Sequence, residues 1–423
     1  MKPPPRTFLT DLFHAALSAV DPAARLPPVL PPPGEGRLVV VGAGKAAAAM
    51  ALAAAFRYGE RARGVVVTRH GHGLRPGEDA SGIEVVEASH PVPGELSLRA
   101  ADALFDAVAD LPERDLVVCL LSGGGSALRE RPADGLTLAD LQAITGALLR
   151  SGAAIGEINT VRKHMSRIKG GRLALAAWPA RVETFTISDV PGDDPSLIAS
   201  GPTVADPSTC ADALAILRRH AIAVPAAIDR ALADGSLETP KPGDPRLGRA
   251  RFHLVGSAKD ALASAADRAR ARAFEVVELG ARIEGEAARV ARDHAERAVQ
   301  AARTGRPTLL LSGGELTVTH DGGCGSGGPN REYALALAVA LAGHPAIWAL
   351  AADTDGVDGT PDAAGALVTP DTLPRAAALG LHPGQFLKRH DSGGFFRALG
   401  DDFVTGPTRN NVSDFRAILV TGE

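Results

Sequence analysis

The stretch Leu309–Arg331 reads LLLSGGELTVTHDGGCGSGGPNR. It opens as a buried strand, because the apolar run Thr308 to Leu311 stops at Ser312-Gly313-Gly314-Glu315. A short alternating segment, Leu316 to His320, leads into the glycine-rich run Asp321 to Asn330, and Arg331 begins an Ala/Leu-rich helical pattern. Strand, glycine turn and helix in that order are the repeating unit of an α/β sheet. Glycine lacks a Cβ, so such a turn can take positive φ and bring backbone N–H groups close to a ligand. A helix N-terminus that follows suits a phosphate. Gly327, Gly328 and Asn330 are therefore candidate phosphate contacts, with Arg331 aimed at the anion. A surface hairpin is the competing reading, and for Gly322, Gly323 and Gly325 it is the simpler one.

The same unit recurs outward in both directions. Apolar runs at 38–41, 64–68, 83–87, 116–121 and 184–188 alternate with helical patterns at 95–109, 138–151 and 159–177. Beyond Glu238 to Gly248, rich in Gly and Pro, strand patterns return at 251–255, 275–279, 346–351 and 416–420, with helices at 258–273 and 286–303. This alternation predicts an α/β fold of two α/β domains with Rossmann-like, mainly parallel sheets. The linker sets the expected boundary, an N-terminal domain over 1–240 and a C-terminal domain over 241–423. One echo crosses it: LLSGGG at 120–125 and LLSGGE at 310–315. Open α/β sheets bind ligands at strand carboxyl ends, so the active site is expected in the interdomain cleft.

Composition removes several function classes. The 423 residues carry a formal net charge of −4, which leaves no basic footprint for nucleic acid. Small anionic substrates fit a local cluster instead. Cys119, Cys210 and Cys324 are too dispersed for a disulfide framework or a zinc knuckle. Neither a signal peptide nor a membrane-spanning run is visible, and a cytoplasmic protein is expected. The sequence is compatible with a homodimer.

Five stretches carry chemistry. Val41 to Ala47, VGAGKAA, fits a loose G-x-G-x-x-A pattern, but the second strand ends in Arg69-His70 where an NAD site wants an acid. What remains is Lys45 at a helix start, where it opposes the helix dipole unless an anion is near. Lys45 is read as neutralising a transferring phosphoryl group. Ser188-Asp189-Val190-Pro191-Gly192-Asp193-Asp194 puts a carboxylate at a strand end, and Asp189 is a candidate for Mg²⁺. Asp353-Thr354-Asp355-Gly356-Val357-Asp358-Gly359 lacks the closing glutamate of an EF-hand, so Asp353 is a candidate for substrate and Asp355 for metal. In the basic segment 159–172 no aromatics interleave, and Arg162 and Lys163 are candidates for a carboxylate or phosphate. Thr405 to Asp414 is a polar loop whose Thr405 and Asn411 are candidate substrate contacts. The two glycine turns supply the candidate nucleotide contacts Gly123, Gly124, Gly125, Ser126, Gly313, Gly314 and Glu315, with Ser122 facing substrate. No H-E-x-x-H or G-x-S-x-G spacing occurs.

Taken together, GAGKAA at 42–47, LSGGGSAL at 121–128, NTVRKHMSRIKGGRLA at 159–174 and SDVPGDDPSLIASGPT at 188–203 resemble glycerate 2-kinases of the MOFRL-containing type. LSGGE at 311–315, GGPNREYALA at 327–336, AADTDGVDGT at 351–360 and TGPTRNNVSD at 405–414 continue the resemblance in order over almost the whole chain. Arg409-Asn410-Asn411 departs from the glycine- or threonine-like turn expected there. The resemblance implies ATP- and Mg²⁺-dependent phosphorylation of D-glycerate at its 2-hydroxyl, with a MOFRL-type C-terminal domain. It implies Lys45 as the catalytic lysine and Arg331 as its partner on phosphate or carboxylate. Asp189 is either the base at the 2-hydroxyl or a metal ligand. Relatives are often labelled hydroxypyruvate reductase, which makes an NAD(P)H-dependent reductase the alternative; a non-catalytic sugar-acid-binding protein is the third reading.

Overall fold

A computed structural model describes residues 4–319, 325–360 and 362–422. The Asp321–Cys324 part of the opening glycine run, with Gly322 and Gly323, lies outside the described residues. The chain forms two compact units, one of residues 22–255 and one that joins the first 21 residues to those from Gly256 onward. The boundary expected at 240 thus falls at 255, and the N-terminal helix belongs with the C-terminal half.

The reason for the second shift is the apolar face of helix Pro5–Ala19, which buries Phe8, Leu9, Leu12, Phe13 and Ala16. Phe8 stacks on Phe274 at 5.0 Å between ring centroids, and Phe13 meets Phe403 and Phe415 edge-on at 5.0 and 5.7 Å. An amphipathic helix goes where its apolar stripe finds a matching surface, whatever its distance along the chain.

The 22–255 unit is built on strands β1 (Leu38–Ala43), β2 (Ala62–Arg69), β3 (Gly82–Ala88), β4 (Leu116–Ser122), β5 (Arg181–Ser188) and β6 (Ala250–Ser257), in the order β3-β2-β1-β4-β5-β6. The pairings β1/β2, β2/β3, β1/β4 and β4/β5 are all parallel. β1 and β4 are buried along their full length, as continuous apolar runs must be when helices cover both faces. From β1 the chain winds one way to β2 and β3, then returns to the other side for β4 and β5. The reversal between β1 and β4 is the topological switch point of a doubly wound sheet. A separate cluster of helices, with Leu141, Leu148, Val161, Leu217 and Leu232 at its centre, packs in the same unit. The expected basic helix over 159–177 is broken. Ile155–His164 and Arg172–Ala177 are separate helices: Ser166 bridges to Pro132 beyond the first, and Gly170 and Gly171, at φ 57° and 86°, precede the second.

The second unit holds β7 (Glu275–Gly280), the two-residue β8 (Gly285–Glu286), β9 (Thr308–Ser312), the two-residue β10 (Leu316–Thr317), β11 (Ile347–Asp353), β12 (Gly365–Val368), β13 (Asp402–Phe403) and β14 (Asp414–Val420). Its main sheet runs β13-β12-β11-β14-β9-β7. Only β7/β9 is parallel there; β9/β14, β14/β11, β11/β12 and β12/β13 are antiparallel. The mainly parallel expectation therefore describes the first sheet, and the second is mixed.

Candidate active site

The turn after β1 is shaped by glycines that have no room for a side chain. A Cβ on Gly42 would lie 2.2 Å from the Leu120 carbonyl oxygen, and one on Gly44 2.1 Å from Ser122 Oγ. Gly44 also takes φ 146°. This brings the ends of β1 and β4 together at the switch point. The Lys45 N–H donates to the Gly123 carbonyl at 2.8 Å, and the Ala46 N–H to Ser122 Oγ at 2.9 Å. Lys45 is half-buried, while its neighbours Gly44 and Ala46 are buried.

On the β4 side, Gly124 takes φ 80°. A Cβ there would meet His90 Nε2 at 3.0 Å and Lys45 Cγ at 3.4 Å. Gly124, Lys45 and His90 thus converge at the carboxyl edge of the sheet. His90 was not a candidate from sequence; its only signals there are its place just beyond β3 and the proline that follows. Asp189 is half-buried directly after β5, the strand that pairs with β4. Arg162 Nη2 donates to the Ser126 carbonyl at 3.3 Å.

Electrostatics mark this edge. Arg129 and Lys169 are fully buried, and Lys169 is ion-paired to Glu130. Burial pushes Lys169 down to about 7, against the opposing pull of Glu130, and the Arg162 and Arg129 charges push the same way as burial. Burial likewise pushes Arg129 down to about 10 and lowers Arg162. Three cations share one nearby carboxylate, Glu130. Uncompensated buried positive charge is costly, and a bound anion would relieve it.

Two expected contacts in this unit have other work. Ser122 is fully buried with its oxygen on the Ala46 N–H, so it shapes the turn and does not face substrate. Lys163 is buried in an ion pair with Asp206 at 2.6 Å. Its neighbour Arg162 is the one at the glycine loop.

The C-terminal unit corrects more. Arg331 is 0% exposed. Its Nε lies 3.2 Å from Asp358, and its Nη2 donates to Thr360 Oγ1 at 2.6 Å and Asp362 at 3.1 Å. Asp402 is 3.5 Å from its Nη1. The anion expected at this helix start is present, but the chain supplies it. Asp358 accepts the Asn330 and Arg331 peptide N–H groups, each at 2.9 Å, one per carboxylate oxygen. Burial pushes Asp358 up to about 6 while these N–H groups hold it down. Asn330 Nδ2 donates to Asp414 at 2.6 Å. Gly328 and Gly327 are small to admit Asp358 and Ser392, whose atoms would lie 2.4 and 2.6 Å from added Cβ atoms. Arg331, Asn330, Gly327 and Gly328 are thus engaged by the chain's own groups.

The second glycine turn is also filled. A Cβ on Gly314 would sit 2.3 Å from backbone atoms of Ile283, and the Gly313 carbonyl accepts from Arg416 Nη2 at 2.5 Å. Glu315 alone is exposed. Asp355 is fully buried, and its Oδ1 accepts the Val357 N–H at 2.7 Å. Asn411 is buried too. The loop after β11 and the loop before β14 do pack together, through Thr408 and Ser413 on Thr354 at 2.6 Å each. Asp353 and Thr405 stay half-exposed on those loops. Among the described residues, one His/Cys/carboxylate group reaches chelating distance, His164, Cys210 and Glu238, with ligand atoms within 4.8 Å of one another. Its Glu238 carboxylate is already shared by the Lys241 ammonium, His164 and the Cys210 N–H. No described helix is long and apolar enough to cross a membrane.

Comparison with known proteins agrees with this architecture. Residues 8–233 match the family described as Domain of unknown function (DUF4147), and residues 308–414 match the MOFRL family. An Agrobacterium vitis protein provisionally described as a hydroxypyruvate reductase is 49% identical, over 98% of this chain and 94% of its own. A D-glycerate 2-kinase of Thermotoga maritima is 39% identical, over 96% of this chain and 95% of its own. The crystal structure of a glycerate kinase from the same organism superposes with a TM-score of 0.86 at 38% identity, covering 98% of this chain and 99% of that one. The chain belongs to the glycerate kinase family that joins a DUF4147 domain to a MOFRL domain.

Proposed function

We propose that this protein is a glycerate 2-kinase that transfers the γ-phosphoryl group of ATP to the 2-hydroxyl of D-glycerate. The observation that carries the reading is the switch point. There Lys45 and the Gly123–Ser126 loop flank a sheet edge backed by Arg129, Arg162 and Lys169 against the lone Glu130. Both substrates are anions, and phosphoryl transfer needs positioning and charge neutralisation more than covalent chemistry. Lys45 neutralises the transferring group. The Gly123–Gly125 backbone and Ser126 hold phosphate oxygens. Arg162 binds the glycerate carboxylate, which its planar fork suits. Asp189 fits Mg²⁺, being a half-buried carboxylate directly after a strand. Bound there, Mg²⁺ would neutralise phosphate charge. When Asp189 is not so engaged, it is the carboxylate able to accept the 2-hydroxyl proton. Asp353, Thr405 and Glu315 remain candidate substrate contacts of the C-terminal unit.

The reductase reading is supported by the descriptions of some relatives. Against an NAD-dependent form of it, β2 ends at Arg69, followed by His70, where the ribose-binding acid of an NAD site is expected. A paired assay decides. D-glycerate with ATP and Mg²⁺ should yield ADP and 2-phosphoglycerate, whereas hydroxypyruvate should not oxidise NADH or NADPH. Nicotinamide oxidation without ADP formation would overturn the kinase reading. The same enzyme preparation, by cell fractionation and by sedimentation, tests a cytoplasmic location and a homodimer.

A further inference from the structure

The loop after Asp189 ends in backbone that side-chain-bearing residues avoid. Ala199 takes φ 50° and ψ 27°, Ser200 φ 58°, and Gly201 φ 53° and ψ 55°. Three left-handed residues in a row persist only where their surroundings dictate them. Here every carbonyl of the turn is claimed. The Ala199 oxygen accepts from Arg129 Nη2 at 2.8 Å, the Ser200 oxygen from the Gly170 N–H at 3.0 Å, and the Gly201 oxygen from the Gly171 N–H at 2.7 Å. Arg129 is fully buried, and Gly170 and Gly171 are themselves left-handed. These two N–H groups lie in the break between the two basic helices.

What the strained turn delivers is one hydroxyl. Ser200 Oγ lies 2.7 Å from Ser126 Oγ in the glycine loop. Ser200 is 0% exposed, and Ser126 is half-buried at the sheet edge. Either oxygen of this pair can donate, but a buried hydroxyl that fails to donate leaves an unsatisfied group, which favours Ser200 as the donor. Ser126 then accepts, and its own O–H is free to donate elsewhere. The Ser126 carbonyl, on Arg162 Nη2, keeps its backbone in place.

We propose that Ser200 is a positioning residue: from the left-handed turn it donates to Ser126 Oγ and commits the Ser126 O–H to a phosphate or carboxylate oxygen bound at the β1/β4 switch point. The proposal rests on the reading that this edge takes the anionic substrates of a kinase. It separates Ser126, which touches ligand, from Ser200, which acts only through it.

The experiment is a double-mutant cycle in the full-length chain, with Ser126→Ala, Ser200→Ala and the double variant. KM is measured separately for D-glycerate and for ATP·Mg²⁺. Ser200→Ala is expected to raise one of the two KM values ~5–10-fold, the worth of one oriented hydrogen bond, with kcat nearly unchanged. Ser126→Ala raises the same KM at least as much, and the double variant no further. A carboxylate ligand moves the glycerate value, a phosphate ligand the ATP value. Additive losses, or an unchanged KM in folded Ser200→Ala, overturn the proposal. Ser200→Gly is the second variant. It removes hydroxyl and strain together, so it should melt higher than wild type yet carry the raised KM; a lower melting temperature overturns the strained-turn account. If the wild-type protein fails to phosphorylate D-glycerate, the kinase reading falls alone. Ser200 is then judged by protection against thermal unfolding by inorganic phosphate, which should shrink in Ser200→Ala and which, if equal to wild type, sinks the proposal.

Discussion

Two turns in this protein begin with nearly the same letters, LSGGGS at 121–126 and LSGGE at 311–315. Each follows a fully buried strand, and each has a glycine with left-handed φ, Gly124 at 80° and Gly314 at 101°. Their surroundings differ. Around the first, the space a Gly124 side chain would enter belongs to His90 and Lys45, polar side chains at a sheet edge. Around the second, that space belongs to the Ile283 backbone, and the flanking Ser312 and Gly313 oxygens are taken by the Arg416 guanidinium. The same local grammar builds a candidate ligand loop in one unit and a packing joint in the other. A glycine turn therefore says that something comes close; what comes close is decided elsewhere in the chain.

The contrast breaks most sharply at Lys45. Lys45→Ala should cut kcat about ten-thousand-fold, by removing the main neutralising charge from phosphoryl transfer, while the thermal unfolding curve stays near that of wild type. Retention of most activity would move the chemistry away from the first turn. On the other side, Arg331→Met should cost about 3–5 kcal/mol in denaturant unfolding, because it strands the buried Asp358 without its cation and leaves Asp362 and Asp402 to Arg397 alone. Its folded fraction should keep kcat within a few-fold; a selective loss of kcat would restore Arg331 to the site.

Acid probes the same packed unit. Burial, helped by the Arg416 charge, pushes His294 down to about 4, and its Nδ1 pairs with the Tyr333 hydroxyl at 2.8 Å. The unfolded chain takes up this proton below about pH 6.5, but the folded chain refuses it until about 4. Stability linked to His294 is thus whole above the first value and is lost as pH falls to the second. The loss is at most about 3 kcal/mol, read from denaturation midpoints across that window. His294→Gln should flatten that slope, and an unchanged slope would assign the acid sensitivity elsewhere. The glycines themselves give the closing pair. Gly314→Ala should cost about 2 kcal/mol of stability, from a left-handed φ and a clash with backbone that cannot yield. Gly124→Ala shares the left-handed φ but meets side-chain atoms and no backbone, so it should cost less stability but about tenfold in kcat/KM. The reverse pattern would erase the distinction between the turns.

Much of the fold was legible because buried strands announce themselves. LVVV at 38–41 and LVVCLL at 116–121 have no other use in a chain of this polarity, and helix starts such as Thr137 with Asp140 carry their caps in the sequence. The short strands Gly365–Val368 and Asp402–Phe403 were missed, since two to four residues give no period to read. Lys45, the Gly123–Ser126 loop, Arg162 and Asp189 were singled out by residue type at strand and helix ends, and the sheet gathers them along one unit's edge. His90, Arg129 and Ser200 were not. Their roles depend on what lies across from them, and spacing along the chain carries no trace of it. Arg331 shows the complementary case. The pattern correctly called for an anion at the helix start, but it could not reveal that Asp358 already fills the place.

By itself, then, the sequence determined the α/β class, the glycine turns and the cationic helix ends, because these follow from local propensity and the burial of apolar runs. The ordered motifs also pointed to the kinase family. Tertiary structure alone decided which half owns the first helix, which of two like turns is packed against backbone, and which cations share a single carboxylate. Those outcomes turn on long-range partners: a Phe8 ring finding Phe274, an Ile283 backbone filling a glycine's vacancy, an aspartate arriving before any phosphate could.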